Sequence, residues 1–460
     1  MNRRDITVVQ AVGILAAILL ILFGGCVSFK LNSQVVLACC TVLTALFAKI
    51  KGYSVDEIEK MAVEGIRTVA IALIINICIG MLISAWIASG TFSFFILLCL
   101  RLAEPRFFLV ETFICCCIFS ALIGSCWICA GTVGLALFFI SQTIQINPYL
   151  LVGAIAGGSR FGACISPISD SANISRLLSG LDDIYTHIRG TLLAVLPGAA
   201  AASAIYFLLD LGNQNRGVLD SLYLEEALNR EFNHHIITLL PVLVLCILIY
   251  LRRSTLTCLI ASISVGGSVA VLFQKRSLWE LSDILFHGYG SYIQSEDPLL
   301  RNLLSRGGIS SMANVLFTLV IGMSLSGILT HMGILKQIVN AVLQHVKSAR
   351  IVVFCSMFFS ILGYGATGDS QPAKVLVSNA FSTAYEEQGL SKAVLSRSLE
   401  MSGFGEGMFP WTVGGVYLSS LFGIPVNQYW YCIFFYYFAM LFHLIFLGKT
   451  APPLGKEAEV

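Results

Sequence analysis

The stretch that decides the fold is Gly153–Ser179, which reads GAIAGGSRFGACISPISDSANISRLLS. It lies in a chain otherwise made of apolar runs, several of them long enough to cross a bilayer. Pro167 lacks an amide donor and ends the preceding helix, while the polar side chains around it can bond the freed backbone groups. Within a bilayer, non-helical backbone survives only where protein or a water-filled cavity covers it. The stretch therefore predicts a helix broken at membrane depth, the arrangement from which secondary transporters build their sites.

The composition is that of an integral membrane protein. Of the 460 residues, 57% are hydrophobic and only 12% are charged, whereas a soluble domain carries about 25% charged residues. A net charge of +2 leaves no basic patch, which argues against nucleic acid as a partner. The first apolar run is followed by no small-residue cleavage site and leads into further spans. It therefore predicts a retained first helix in a multi-pass protein of the cytoplasmic membrane.

The sequence contains few of the patterns that are typical of enzymes or cofactor-binding proteins. The fifteen cysteines lie mostly inside apolar runs, where a thiol packs as a small hydrophobe. Cys126 and Cys129 have the spacing of a redox pair but lack its strand–helix context. The seven histidines show no metal spacing, and neither a nucleophile elbow nor a nucleotide-binding loop occurs. We predict a transporter that is not an enzyme and has no cofactor; an enzyme or redox protein using Cys126 and Cys129 is the third hypothesis.

The two halves of the chain resemble each other. Three segments of the first half match segments of the second half at nearly the same offset. The matches are Ile79–Ser84 with Ile321–Ser326, Gly124-Ser125 with Ala366-Thr367 and, with the offset changed by one residue, Pro167 with Pro410. We expect a first repeat over residues 1–210, a polar linker over 211–234 and a second repeat over 235–460. The predicted fold is an all-α polytopic membrane protein with about 10–12 transmembrane helices. They form two inverted repeats, each with a re-entrant hairpin and a broken helix.

Ionisable residues at these breaks indicate a site. No Asp, Glu, Lys or Arg occurs in residues 112–159 or 407–448, and a charge at membrane depth is a functional hypothesis by default. Asp170 and Asp369, one near a break of each half, are the predicted Na⁺ ligands, and each can take up H⁺ instead. Helix capping is the alternative for both. The further predicted cation or substrate ligands are Ser125, Trp127, Ser166, Ser169, Asn173, Thr367, Trp411 and Thr412. For their hydroxyls the alternative is back-bonding to the helix, and for the tryptophans it is core packing.

Glu400 and His187 are weaker candidates for proton coupling. Glu400 and Glu406 flank a short segment before the second break, where they could line the access path, titrate, or lie in a solvated loop. His187 belongs to a polar collar before a span. It could sense pH, because the reference pKa of histidine is about 6.5, or it could anchor the helix at the membrane interface.

With these residues identified, the chain resembles the NhaC-type sodium/proton antiporter family, in the wider ion-transporter superfamily. The family signature Gly-Asp-Lys-Met-Ser-Pro-Leu-Ser-Asp-Thr-Thr-Asn is similar to Gly162–Asn173. The family stretch Thr-Gly-Ser-Ser-Trp-Gly-Thr-Ala-Gly-Thr is similar to Ile123–Thr132. In the second half Thr367–Asp369, Leu395–Glu400 and Pro410-Trp411 match in order. The departures are Ala163 and Cys164 in place of Asp-Lys, Met401 in place of Asp, and Thr412 in place of Asn.

The resemblance implies exchange of Na⁺ for H⁺ through two inverted repeats. Its partners would be the lipid bilayer and the transported ions, and the sequence is also compatible with a homodimer. Relatives within this family resemble malate/lactate exchangers or amino-acid carriers. Na⁺- or H⁺-coupled transport of a small organic anion or amino acid is therefore the second hypothesis. The free amides of a half-helix that starts after Ser166-Pro167 would suit a carboxylate substrate.

Overall fold

The computed structural model describes residues 6–446, except 69, 95–96, 98–104, 144–145, 213–220, 252, 294–299, 302–303, 306 and 345–347. Over this part the chain is helical with connecting turns and contains no strand. Six of the described helices are long and apolar enough to cross a membrane, and a pair bent by 90° is a seventh candidate. The all-α polytopic fold is confirmed. The expected count of about ten to twelve spans is reached only if shorter apolar helices of 10–17 residues also cross, singly or in pairs.

The described helices of the first half are α1 (Val8–Phe23), α2 (Ser33–Ile50), α3 (Val55–Thr68), α4 (Ala70–Ala88), α5 (Phe108–Ile123), α6 (Cys126–Cys129), α7 (Leu135–Thr143), α8 (Pro148–Ile165), α9 (Asp170–Leu178) and α10 (Ile184–Gly212). A π-helical turn at Ala130–Gly134 joins α6 to α7. α6 and this π-helical turn pack against α5, and the re-entrant hairpin stays a prediction.

The described helices after α10 are α11 (Ser221–Glu231), α12 (Leu240–Tyr250), α13 (Thr255–Leu272), α14 (Leu278–His287), α15 (Ala313–His331), α16 (Ile334–Leu343), α17 (Ala349–Thr367), α18 (Ser370–Glu387), α19 (Lys392–Glu400), α20 (Val413–Phe422), α21 (Val426–Tyr429) and α22 (Phe434–Ile445). Within the expected linker, α11 is helical and residues 213–220 lie outside the described part.

Each half contains a helix that ends at a left-handed glycine and is followed at once by another helix. In the first half α5 ends at Gly124, with φ 76°, and Ser125 caps α6. In the second half α17 ends at Gly368, with φ 83°, and Asp369 caps α18. Glycine is favoured at both ends because a Cβ is strained at positive φ. Gly368 lies two residues beyond Ala366, with which the sequence comparison pairs Gly124, because α17 continues to Thr367. The inverted repeats themselves stay a prediction.

Helix breaks lie at both predicted proline positions. α8 ends before Ser166-Pro167, and α9 begins after Ser169, whose Oγ accepts a hydrogen bond from Ala172 N at 3.5 Å. In the second half, α19 is followed by a 3₁₀ turn (Met401–Gly405) and by non-helical residues 406–412, which contain Pro410. Proline removes a backbone donor and blocks the preceding turn, so neither helix can continue through these points.

Close packing of α8 against α5 holds the first break beside the first hairpin. Gly158 and Gly162 form a small-xxx-small pair on α8. A Cβ on Gly158 would lie 2.5 Å from the carbonyl oxygen of Phe113, and one on Gly162 would overlap the backbone nitrogen of Ala121. Membrane helices approach this closely only through such residues. The two glycines therefore set the position of the segment that follows α8.

Each half contains a short helix that packs against a helix of the other half. The short helix α3 packs against α15 of the second half, and the short helix α14 packs against α4 of the first. At the first of these crossings Gly65 and Gly327 lie against each other, because a Cβ on either would contact the other glycine at 3.0 Å. Gly308 N also donates a hydrogen bond to Gly80 O at 2.8 Å. The halves are thus packed together through backbone contacts.

Asp210, the last residue of the expected first repeat, lies inside a helix. α10 continues to Gly212, and Asp210 within it is buried. The Asp210 carboxylate accepts hydrogen bonds from Leu109 N at 3.3 Å and Val110 N at 3.0 Å. A carboxylate at a helix N-terminus satisfies free amides and the helix dipole. Asp210 therefore caps α5.

Candidate ion-binding site

Four buried charged side chains meet where the broken segments of the two halves come together. Arg160 lies on α8, Lys374 on α18, Glu400 at the end of α19, and Glu406 in the non-helical segment that follows. Arg160 Nη2 lies 2.6 Å from Glu400 Oε1, and Lys374 Nζ lies 3.0 Å from Glu400 Oε2. Arg160 Nη1 lies 3.5 Å from Glu406 Oε2. These four residues are called the charge cluster.

Glu400 is saturated with partners. Besides the two cations, Ser171 Oγ donates to its Oε1 at 2.7 Å and Ser175 Oγ donates to its Oε2 at 2.6 Å. Lys374 Nζ also donates to the carbonyl oxygen of Ser171 at 2.9 Å. A buried carboxylate is tolerated when its lone pairs are filled in this way. Because α9 supplies both hydroxyls, Glu400 ties the first broken helix to the second.

Glu406 has fewer and longer contacts than Glu400. Its two carboxylate oxygens accept from Cys126 Sγ at 3.7 Å, and Arg160 Nη1 is its nearest cation. Cys126 begins α6, so the hairpin of the first half touches the break of the second. Glu406 is therefore the less neutralised of the two carboxylates in the charge cluster.

Glycines make room for the charge cluster. A Cβ on Gly403 would overlap the guanidinium of Arg160, and a Cβ on Gly414 would overlap the side chain of Glu406. Gly403 lies in the 3₁₀ turn after α19 and Gly414 in the first turn of α20. Both charged side chains thus lie directly against helix backbone.

The predicted ligands of the first half lie around its break and hairpin turn. Ser166 is buried, its Oγ has no hydrogen-bond partner among the described residues, and a Cβ on Gly124 would lie 3.2 Å from that oxygen. Asn173 Nδ2 donates to the carbonyl oxygens of Pro167 at 3.0 Å and Ser169 at 2.9 Å. Ser169 also caps α9, as described above. The break is therefore braced by its own side chains and rests on the hairpin turn.

Three other predicted residues of this half have different surroundings. Ser125 Oγ accepts from Ile128 N at 3.4 Å, as a helix cap. The Trp127 ring lies 4.8 Å from the Tyr417 ring, edge to face. Asp170 is exposed in the first turn of α9, and no hydrogen bond or ion pair of its side chain occurs in the described part. The structure thus shows no contact between Asp170 and the charge cluster.

The predicted ligands of the second half surround the other hairpin turn. Thr367 Oγ1 donates to Gly363 O at 2.7 Å and to Asp369 O at 3.0 Å. Asp369, which is 9% exposed, accepts from Gln371 N at 2.8 Å. Trp411 Nε1 donates to Gly365 O at 2.6 Å. Break and turn are therefore bonded to each other in this half as well.

The remaining predicted residues, Thr412 and His187, have local partners. Thr412 caps α20, since its Oγ1 accepts from Gly415 N at 3.3 Å. His187 is fully buried, and its Nδ1 shares a hydrogen bond with Ser396 Oγ at 2.7 Å. Ser396 lies one helical turn before Glu400 on α19, so His187 is joined to the helix that carries the central carboxylate.

Sequence reasoning missed Arg160 and Lys374, together with the two serines that bind Glu400. A signal for Arg160 and Glu406 was present, because the two charge-free windows end next to them, at residues 159 and 407. A charge that borders a long uncharged apolar run is a candidate for membrane depth. For Lys374 no such signal exists, because it lies on a polar helix whose burial depends on its neighbours.

Among the described residues, the side chains that redox or metal chemistry would use are not arranged for it. All fourteen cysteines of the described part are free. Among the same residues, no group of three or more His, Cys, Asp or Glu side chains has the arrangement of a metal site. Cys129 Sγ donates to the carbonyl oxygen of Cys116 at 3.5 Å. Cys129 is thus engaged in helix packing, while Cys126 faces Glu406.

Comparison with known proteins identifies the family. The chain is 27% identical to the malate-2H⁺/Na⁺-lactate antiporter of Bacillus subtilis, over 92% of this chain and 90% of that protein. It is 25% identical to the Na⁺/H⁺ antiporter NhaC of Alkalihalophilus pseudofirmus, over 93% and 92% of the two chains. It is 28% identical to the arginine/ornithine antiporter ArcD of Halobacterium salinarum, over 91% and 87%. The family model described as the Na⁺/H⁺ antiporter family matches residues 177–449, more than half of the chain. The chain is a multi-pass membrane protein and belongs to the Na⁺/H⁺ antiporter family.

Proposed function

We propose that this protein exchanges Na⁺ for H⁺ across the cytoplasmic membrane and that it is neither an enzyme nor dependent on a cofactor. The observation that carries the proposal is the charge balance between the two broken helices. Arg160 and Lys374 supply two positive charges there, whereas Glu400, Glu406 and Asp369 supply three negative charges. One carboxylate is therefore in excess among these five buried side chains.

An excess buried carboxylate must take up a cation or a proton. Its uncompensated burial costs several kcal/mol, so the occupied forms are strongly favoured over the empty charged form. Na⁺ and H⁺ then compete for the same group, and each leaves when the other binds. Such competition is sufficient for exchange, provided that the site is open to one side of the membrane at a time.

The arrangement of the halves supports alternating access. We propose that residues 1–210 and 235–460 are inverted repeats, each with one hairpin and one broken helix. Because both breaks end in the charge cluster, a movement of one repeat against the other would change the access to it. Asp170, exposed at the start of α9, and Asp369 would receive the cation on its way. The neutral oxygens of Ser125, Ser166, Ser169, Asn173, Thr367 and Thr412 would line that path, walled by Trp127 and Trp411, and His187 would respond to pH through α19.

The direct test is ion flux in proteoliposomes with a trapped pH-sensitive dye. A pulse of external Na⁺ should move protons outward, whereas choline at equal ionic strength should not. Protein-free vesicles and the exposed-site variant Glu64→Gln, which should behave as wild type, serve as controls. Absence of any Na⁺-driven proton movement by the wild-type protein, at neutral and alkaline pH alike, would reject the proposal.

Exchange of a small organic anion or amino acid is the second candidate. It is favoured by the two buried cations, which could face a carboxylate, and by the relatives named as malate/lactate and arginine/ornithine antiporters. Labelled malate, lactate, arginine and ornithine, supplied with and without a Na⁺ gradient, separate the candidates. Uptake of one of these labelled solutes that depends on the Na⁺ gradient would favour the second candidate over simple ion exchange.

A further inference from the structure

A small cavity lies between the first hairpin and the second break. Its walls include Cys126, Trp127, Ser159, Glu406, Tyr417 and Tyr436. The cavity volume open to the centre of a water-sized sphere is about 10 Å³. This volume is close to the minimum of about 10–15 Å³ that holds one water. The cavity thus has room for one ligand of about the size of a water molecule.

One wall carries an oxygen without a partner. Ser159 is 1% exposed, and its Oγ accepts or donates no hydrogen bond among the described residues. A buried hydroxyl without a hydrogen bond costs about 1–3 kcal/mol. The Ser159 Oγ is therefore a candidate ligand atom. In contrast, the neighbouring Tyr417 OH donates to the carbonyl oxygen of Trp127 at 2.8 Å.

Glu406, the less neutralised of the two carboxylates in the charge cluster, also lines the cavity. Glu400 has two cations within 3.0 Å and two hydroxyl donors, whereas Glu406 has one cation at 3.5 Å and a thiol. Carboxylate and hydroxyl oxygens are the donors that hard cations prefer. The cavity therefore combines the right size, one available negative charge and one free neutral oxygen.

We propose that this cavity is a cation pocket in which Glu406 supplies the charge and Ser159 a neutral oxygen ligand. The assignment rests on the proposed exchange and names the group that performs it. Binding of Na⁺ releases the proton of the Glu406 carboxyl to solvent, and rebinding of a proton releases Na⁺. Arg160 and Cys126 contact the Glu406 carboxylate through Nη1 and Sγ.

The test is the Na⁺ dependence of thermal unfolding of the purified protein in detergent. Na⁺ should raise the Tm of the wild-type protein relative to choline, because a ligand that binds only the folded state stabilises it. Ser159→Ala should shift the midpoint of this Na⁺ response to about fivefold to tenfold higher concentration, as expected for one lost ligand. Glu406→Gln should abolish the response, and Glu406→Asp should retain it with a raised midpoint.

Ser141→Ala is the matched control. Ser141 is equally buried, but its Oγ donates to the carbonyl oxygen of Phe138 on its own helix at 2.6 Å. Its Na⁺ midpoint should be that of wild type. A Glu406→Gln protein whose Tm still rises over the wild-type Na⁺ range would overturn the assignment, as would an unshifted midpoint in Ser159→Ala. If wild type exchanges Na⁺ in vesicles while these variants respond as it does, the proposed function stands and only this pocket fails.

Discussion

Replacing Glu400 by glutamine is expected to destabilise the protein by about 3–5 kcal/mol, because Arg160 and Lys374 would then be buried without their shared counter-ion. The lost partners are the closest in the charge cluster, at 2.6 and 3.0 Å. We expect a large fall in Tm in detergent and little folded protein in the membrane. Adding Lys374→Met to Glu400→Gln should recover part of the loss, since one of the two unpaired cations disappears.

The control for this prediction is an ion pair on the surface. Glu64 lies 2.6 Å from His331 Nε2, and their side chains are 56% and 45% exposed. Exposed pairs contribute about 0–1 kcal/mol, so Glu64→Gln should leave the Tm nearly unchanged. Equal Tm values for the Glu400 and Glu64 variants would show that the charge cluster does not hold the two broken helices together.

A second large effect is expected at the α5–α8 crossing. Gly162→Ala places a Cβ on the backbone nitrogen of Ala121, so the two helices must separate. Such overpacking costs about 1–3 kcal/mol, and separation would also move Arg160, which precedes Gly162 by two residues. We expect a lower Tm and reduced Na⁺-driven proton flux in the same variant.

Gly13→Ala is the matched substitution. Gly13 lies inside α1, and a Cβ there meets nothing within 4 Å. Alanine in place of an unconstrained helical glycine should stabilise by about 0.5–1 kcal/mol. A Gly162→Ala protein that matches Gly13→Ala in Tm and flux would refute the close packing of α8 on α5.

Much of this architecture could be predicted because membranes constrain backbone strongly. Pro167 and Pro410 mark breaks that the structure contains, and the glycine-rich turn at Gly124 marks a hairpin. These signals are local, since a missing amide or a left-handed residue acts on its own turn. The exact end of α17 at Thr367 could not be predicted, because the length of a helix depends on its packing.

The partners of each polar residue could not be predicted in the same way. Which cation meets Glu400 depends on how α8, α18 and α19 come together, over separations of more than two hundred residues in the case of Arg160. The resemblance to the antiporter family places a lysine where this chain has Cys164. Arg160 lies one helical turn earlier on α8 and supplies a cation beside that position.

The most direct measurement is the number of protons released when Na⁺ binds to the purified wild-type protein. It can be made in weakly buffered detergent solution, with the bound Na⁺ counted in parallel. The account predicts about one proton released for each Na⁺ bound, because both occupy one excess buried carboxylate. Binding of Na⁺ without release of any proton, over the whole pH range in which the protein stays folded, would contradict it.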